Sequence, residues 1–233
     1  VLEVEGLRGG YDGVDILRGI TFALMPHTLT AVIGPNGAGK STLLRAIYGR
    51  LRLSAGVVRL RGSAITGRPP DDLRRRGLAY VAQGRCNFPM MTVRENLEIG
   101  TFARRDARGA ADVEACLARF PLLGAHARRR AGDLSGGQQQ LLELAMGLLG
   151  EPLVLLVDEP SMGLAPTAVA EVWATLADIR RAGTTILLVE QNARKALELA
   201  DRGVVLDLGE LRRDAPAAGL LDDPEIRRLY LGG

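Results

Sequence analysis

The 233 residues suffice for one large domain or two small ones, and 47% hydrophobic with 24% charged residues is the balance of a soluble globular protein. A net charge of +3 is too small to imply nucleic-acid binding by itself. Two cysteines, Cys86 and Cys116, make neither a metal-ligand spacing nor a disulfide framework, which fits a reducing cytosolic compartment, and no apolar run approaches the length that spans a bilayer.

Residues 1–33 alternate apolar and polar, with turn signals at Gly9-Gly10, Asp12-Gly13 and Met25-Pro26. The pattern predicts antiparallel strands, beginning at a strand-like Val1-Leu2-Glu3-Val4-Glu5 that does not read as a signal peptide. Tyr11 falls in a predicted loop, where it is either partly buried or free to stack on a nucleobase.

Thr30-Ala31-Val32-Ile33 reads as a buried strand, followed by Gly34-Pro35-Asn36-Gly37-Ala38-Gly39-Lys40-Ser41-Thr42 and a helical pattern through Leu43, Leu44, Ala46 and Ile47. The nine residues fit G-x-x-x-x-G-K-S/T, the phosphate-loop pattern. A glycine-rich turn exposes successive backbone N–H groups as a nest for phosphate oxygens, and side chains at Gly37 or Gly39 would obstruct that approach. Lys40 supplies a compact positive charge, Ser41 a hydroxyl for Mg²⁺, and the helix points its positive end at the anion. Of thirty basic residues only Lys40 and Lys195 are lysines, so the chain departs from its arginine habit where the loop needs a point charge.

Gly56 to Gly62 predicts a short strand or hairpin, and Pro69-Pro70-Asp71-Asp72-Leu73 a helix start. Leu78 to Ala82 reads as a buried strand ending at Gln83-Gly84, which places Gln83 to reach Mg²⁺ or an attacking water. Phe88-Pro89-Met90-Met91 is an apolar run in a loop, either packed locally or exposed as a groove for a partner helix. The pattern from about Thr92 to Leu149 is helical, opening on a Thr92–Glu95 capping box, and reads as an insertion between two halves of an α/β sheet.

Ser135-Gly136-Gly137-Gln138 starts the last helix of that insertion. Ser135 can cap it, and the paired glycines leave its N-terminus bare as a second anion site. Leu153 to Val157 then suits a central parallel strand that delivers Asp158 and Glu159 at its C-terminal end. Asp158 can hold Mg²⁺ through water, and Glu159 can polarise a water as general base. A helix from about Thr167, a strand from Thr184, a helix from Ala193, a hairpin turning at Leu208-Gly209 and a helix from Asp222 to Tyr230 complete a βαβ alternation. The clusters Arg74-Arg75-Arg76, Arg104-Arg105 and Arg128-Arg129-Arg130 read as solvated helix ends or loops.

Phosphate loop, Gln83, Leu134-Ser135-Gly136-Gly137-Gln138 and the strand ending in Asp158-Glu159 stand in an order that resembles the nucleotide-binding subunits of ATP-binding cassette (ABC) proteins, over essentially the whole chain. The resemblance implies an α/β P-loop NTPase with a mostly parallel central sheet, an N-terminal antiparallel β-subdomain and an inserted α-helical subdomain at about 92–149, all within one ATPase domain over 1–233. It implies ATP and Mg²⁺ as ligands and positions Tyr11 on the adenine and Gly34 to Thr42 on the phosphates. It puts Ser135 to Gln138 on the γ-phosphate of an opposing subunit, Ser41, Gln83 and Asp158 at the metal, and Glu159, Gln83 and Gln191 at the reacting water.

The segments Asp158 to Pro166 and Val189 to Ala193, and the ending Tyr230-Leu231-Gly232-Gly233, are similar to one of the two ATPase subunits of bacterial branched-chain amino acid importers; urea and short-chain amide importers share them. That likeness implies a second, related ATPase as partner, separate permease subunits, a periplasmic solute-binding protein acting indirectly, no nucleic acid, and a peripheral place on the cytoplasmic face of the inner membrane. Two positions depart from the general pattern: Gln191 stands where most cassettes have histidine, and Ala165 where an aspartate is usual. Glutamine can hydrogen-bond a phosphate oxygen or the water but cannot carry a proton near neutral pH.

Overall fold

The computed structural model describes residues 1–84, 86–101 and 109–230. Arg104-Arg105 and the ending Leu231-Gly232-Gly233 lie outside the described residues. The chain opens with β1 (Leu2–Tyr11) and β2 (Val14–Leu24), then β3 (Leu29–Ile33) and α1 (Lys40–Ile47). Asp12 and Gly13 both have positive φ, 51° and 79°, so a two-residue turn of the primed kind joins β1 to β2 in register with their twist. After α1 come β4 (Leu53–Leu60), β5 (Ser63–Ala64), α2 (Pro70–Arg75) and β6 (Leu78–Val81).

The helical stretch holds α3 (Val93–Thr101), α4 (Gly109–Arg119), α5 (Pro121–Ala125) and α6 (Gly136–Leu148). The remainder alternates: β7 (Val154–Asp158), α7 (Pro166–Arg181), β8 (Thr185–Val189), α8 (Ala193–Leu199), β9 (Arg202–Asp207), β10 (Glu210–Pro216), α9 (Ala217–Asp222) and α10 (Pro224–Tyr230).

Two sheets result. The first, ordered β2-β1-β4-β5, is antiparallel throughout. The second, ordered β10-β9-β3-β8-β7-β6, is parallel except for the edge hairpin of β9 and β10. Strands β3, β7 and β8 are buried at every position, as continuous aliphatic runs covered on both faces must be. One apolar core fills the space between the two sheets around α1, a second lies on the opposite face under α7 and α8, and a third is internal to the helical stretch. Ligands of such sheets bind beyond the C-terminal ends of the parallel strands, which here bring together the ends of β3, β6, β7 and β8.

Three local expectations are corrected. Gly9-Gly10 is not a turn: both residues lie inside β1 at a register shift. A Cβ on Gly10 would stand 1.8 Å from the Val14 carbonyl oxygen, so these glycines admit close backbone neighbours rather than reverse the chain. Tyr11 is accordingly the last residue of β1, not a loop residue. The C-terminal helix starts at Pro224 rather than Asp222, because Asp223 Oδ1 accepts the Glu225 N–H at 2.8 Å and α9 has already ended.

The capping box predicted at Thr92 is present, with Thr92 N–H donating to Glu95 Oε2 at 2.7 Å and Glu95 N–H to Thr92 Oγ1 at 3.1 Å. A second fastening had no local signal. Arg74, from the end of α2, donates to the carbonyls of Met146, Gly147 and Leu149 at 2.8 to 3.0 Å, the unpaired oxygens where α6 ends. Arg74→Ala leaves three carbonyls without their charged donor. It is expected to lower unfolding stability by about 2 kcal/mol, read from the urea midpoint at unchanged m-value.

Candidate functional site

The phosphate loop begins where β3 stops. Gly34 passes so close to β9 that a Cβ would lie 2.1 Å from the Leu206 carbonyl oxygen. Gly37 and Gly39 take φ of 82° and 96°, and Gly39 is the N-cap of α1. Pro35 and Asn36 are exposed at the tip, Ala38 is buried behind it, and the amides of Ser41 and Thr42 open the first turn of α1 without intrahelical acceptors. Lys40 is buried, and its Nζ donates to the carbonyls of Gly34 at 2.8 Å and Pro35 at 3.0 Å. Burial lowers the affinity of this ammonium for its proton, against the pull of Glu159 and Asp158.

Asp158, the last residue of β7, is buried and accepts two hydrogen bonds, one on each oxygen. Ser41 Oγ donates to Oδ1 at 2.8 Å and the Tyr80 hydroxyl to Oδ2 at 2.9 Å. Burial raises the carboxyl above its ordinary range, and the Ser41 and Tyr80 bonds, then Arg45 and Lys40, pull it back. Ser41 and Asp158 thus present hard oxygens side by side where a phosphate tail would end. One carboxylate and one hydroxyl suit Mg²⁺, which keeps most of its waters and takes the rest of its shell from substrate phosphates.

Glu159 follows in a left-handed conformation, φ 47°, rare for a glutamate and a mark of stored strain at a working position. Its backbone N–H donates to Val189 O at 2.9 Å, fixing it to the end of β8. Its Oε2 accepts from Gln83 Nε2 at 2.9 Å, and that same nitrogen lies 3.1 Å from Met162 Sδ. Partial burial, then Asp158, raise the Glu159 carboxyl, while Lys40 lowers it. A carboxylate with raised proton affinity beside a phosphate nest is suited to take a proton from water.

Gln191 is exposed just past β8. The preceding Glu190 is buried, and its carboxylate accepts the Ser161 N–H at 3.0 Å and the Gln191 N–H at 3.1 Å, tying the loop after Glu159 to the loop before α8. Tyr11 is 43% exposed, and its hydroxyl accepts from Arg45 Nη1 at 3.3 Å. The structure therefore gathers Gly34 to Thr42, Gln83, Asp158 and Glu159.

It does not gather the Ser135 segment with them. Among the described residues no hydrogen bond or ion pair joins 135–138 to 34–42. Nor is the N-terminus of α6 fully bare, as expected from the glycines. Ser135 Oγ accepts the Gln138 N–H at 3.3 Å and Gln138 Oε1 accepts the Ser135 N–H at 3.0 Å, a complete capping box. The amides left for an outside anion are those of Gly136 and Gly137, and Gly137 is pressed so closely onto α7 that a Cβ would lie 2.4 Å from the Ala168 Cβ.

Sequence reasoning missed Tyr80, Arg45 and Glu190. The phenol of Tyr80 in an otherwise aliphatic strand was the available signal; Arg45 and Glu190 act through contacts that spacing does not disclose.

Comparison with known proteins places the geometry among relatives. A family model described as ABC transporter matches residues 17–162. The high-affinity branched-chain amino acid transport ATP-binding protein BraG of Pseudomonas aeruginosa is 38% identical over 233 residues, covering 100% of both chains. The probable branched-chain amino acid transport ATP-binding protein LivF of Archaeoglobus fulgidus is 36% identical, over 100% of this chain and 99% of that one. The crystal structure of the ADP conformation of an ATP-binding cassette of an ABC transporter superposes with a TM-score of 0.87 at 27% identity, over 100% of this chain and 99% of that one.

Proposed function

This chain belongs to the ABC transporter family and is an ATP-binding, ATP-hydrolysing subunit, and we propose that it drives uptake of branched-chain amino acids through separate permease subunits. The observation that carries the mechanism is a site divided in two: Lys40, Ser41, Asp158, Glu159 and Gln83 converge, while Ser135 to Gln138 stand apart from them. A second cassette then supplies its own α6 N-terminus to the γ-phosphate held here, and receives this chain's in return. Nucleotide holds the pair together, and hydrolysis removes the shared contacts.

Gly34 to Thr42 hold the phosphates and Tyr11 stacks on the adenine. Ser41 and Asp158 would hold Mg²⁺, with the Gln83 side-chain oxygen as a further donor, since its Nε2 already serves Glu159. Held there, the ion would supply positive charge against the phosphates. Glu159 takes the proton of the water that attacks the γ-phosphorus, the bond to the bridging β-phosphate oxygen breaks, and ADP and inorganic phosphate leave. Gln191 orients that water or a phosphate oxygen without taking the proton. One cassette domain spans the chain, with its helical subdomain at about 92–149.

The partner cassette is a related but different chain, and Gln191 and Ala165 are features of this importer subtype rather than marks of an inactive site. No helix among the described residues is long and apolar enough to cross a membrane, so a peripheral place on the cytoplasmic face requires docking on the permease. The docking face is a groove of about 490 Å³ between α2, β6, α3 and α6, walled by Tyr48, Arg50, Tyr80 and Met146 and reaching Cys86. Two and four residues on, Phe88 is 46% exposed and Met90 73%. The loop's polar side is anchored inward, Asn96 accepting the Phe88 N–H at 2.7 Å and Asn87 bonding Glu143 at 3.0 Å, which leaves the apolar side chains to face a helix.

The test is transport in liposomes containing both cassettes, the permease subunits and the solute-binding protein. Leucine-loaded binding protein is expected to stimulate ATP turnover and solute entry, whereas stimulation by urea or short amides alone would reassign the solute. In the same assay Phe88→Asp retains ATP binding and loses transport. Loss of nucleotide binding in that variant would count against docking.

A further inference from the structure

We infer that Tyr80 is a positioning residue for the metal site: it fixes the plane of the Asp158 carboxylate so that Oδ1 faces Mg²⁺. The inference rests on Asp158 being the metal-side carboxylate. Tyr80 lies in β6 opposite Leu156 of β7, two residues before Asp158, so its side chain shares a face with that carboxylate. Its hydroxyl holds Oδ2 at 2.9 Å from the side opposite Ser41.

The ring itself is clamped. Tyr48, at the C-terminal end of α1, packs against it with centroids 5.3 Å apart and planes tilted 49°. The Arg50 guanidinium lies 5.8 Å from both rings. The terminal torsion of an aspartate is broad and roughly two-fold, so a carboxylate whose donors are themselves mobile can rotate. With Tyr80 on Oδ2 it cannot, even once Ser41 turns from Oδ1 toward the ion. The same ring walls the permease groove, so the metal ligand and the docking face share one side chain.

The experiment measures the affinity of the purified full chain for a fluorescent ATP analogue, in EDTA and then in Mg²⁺. Tyr80→Phe is expected to leave metal-free affinity unchanged and to cut the tightening caused by Mg²⁺ by about tenfold, the low end for a lost hydrogen bond to a charged group. Asp158→Asn abolishes the tightening, and adding Tyr80→Phe to it costs nothing more, because the two act through one carboxylate. Full tightening in Tyr80→Phe with loss in Asp158→Asn overturns the role of Tyr80 alone, and a lower melting temperature with full tightening is that same outcome. Full tightening in Asp158→Asn overturns the reading of the metal site beneath it.

Discussion

Glu159→Gln in the complete transporter is expected to lower ATP turnover by about a hundredfold to ten-thousandfold, the range of a general base, while ATP binding persists and a nucleotide-bound dimer accumulates. The substitution keeps the size of the side chain and its place beside Gln83 and Val189 but removes the group that accepts the proton. Direction follows from charge. Burial and Asp158 raise the Glu159 carboxyl, and only its ionised form is a base. Activity of the unaltered chain therefore climbs with pH through a value above the ordinary carboxylate range, and that limb disappears in the variant. Single-turnover phosphate release across pH, with size-exclusion of the ATP-bound species, reads both effects. Unchanged turnover would remove Glu159 from the role.

The second large effect concerns the other half of the site. Gly137→Val introduces a branched side chain where even a Cβ would lie 2.4 Å from the Ala168 Cβ. The start of α6 must then shift away from α7, and with it the Gly136 and Gly137 amides offered to the partner's nucleotide. A displacement on the order of 1 Å costs about a hundredfold in rate when a positioning group is lost. Turnover of the assembled transporter should fall by that order. The isolated chain should still bind ATP with unaltered affinity, since the phosphate loop does not touch Gly137. Equal loss of binding in the isolated chain would show global damage instead, and unchanged turnover would detach this helix end from the reaction.

The motifs legible in the sequence are those whose chemistry is local. The run Gly34 to Thr42 announces a phosphate loop because its backbone must be bare and its helix must begin at Lys40. The aliphatic run to Val157 likewise announces a buried strand with Asp158 and Glu159 at its mouth. The family resemblance then ordered these pieces into an α/β fold with a mostly parallel sheet, and the observed strand order agrees.

What stayed hidden is made by residues far apart in the chain. Tyr80 reaches Asp158 across 78 positions, and Arg74 reaches Leu149 across 75. Gly9-Gly10 looked like a turn because two glycines signal one locally, whereas their cause is the approach of neighbouring strands. At Ser135 the spacing to Gln138 was itself a capping signature. The Ser135 cap was legible from the residue type, whereas the paired glycines implied a bare N-terminus that the Gln138 side chain in fact helps to close.

The posture of Lys40 changes what capturing a nucleotide means. Its ammonium already sits away from bulk water, with the Gly34 and Pro35 carbonyls standing in for a hydration shell. The dehydration of that ion therefore belongs to the folding of the chain and not to the encounter with ATP. An arriving phosphate tail replaces two neutral oxygens with charged ones around a cation held in place, so binding here is a ligand exchange in the inner sphere of an ion the protein carries within itself.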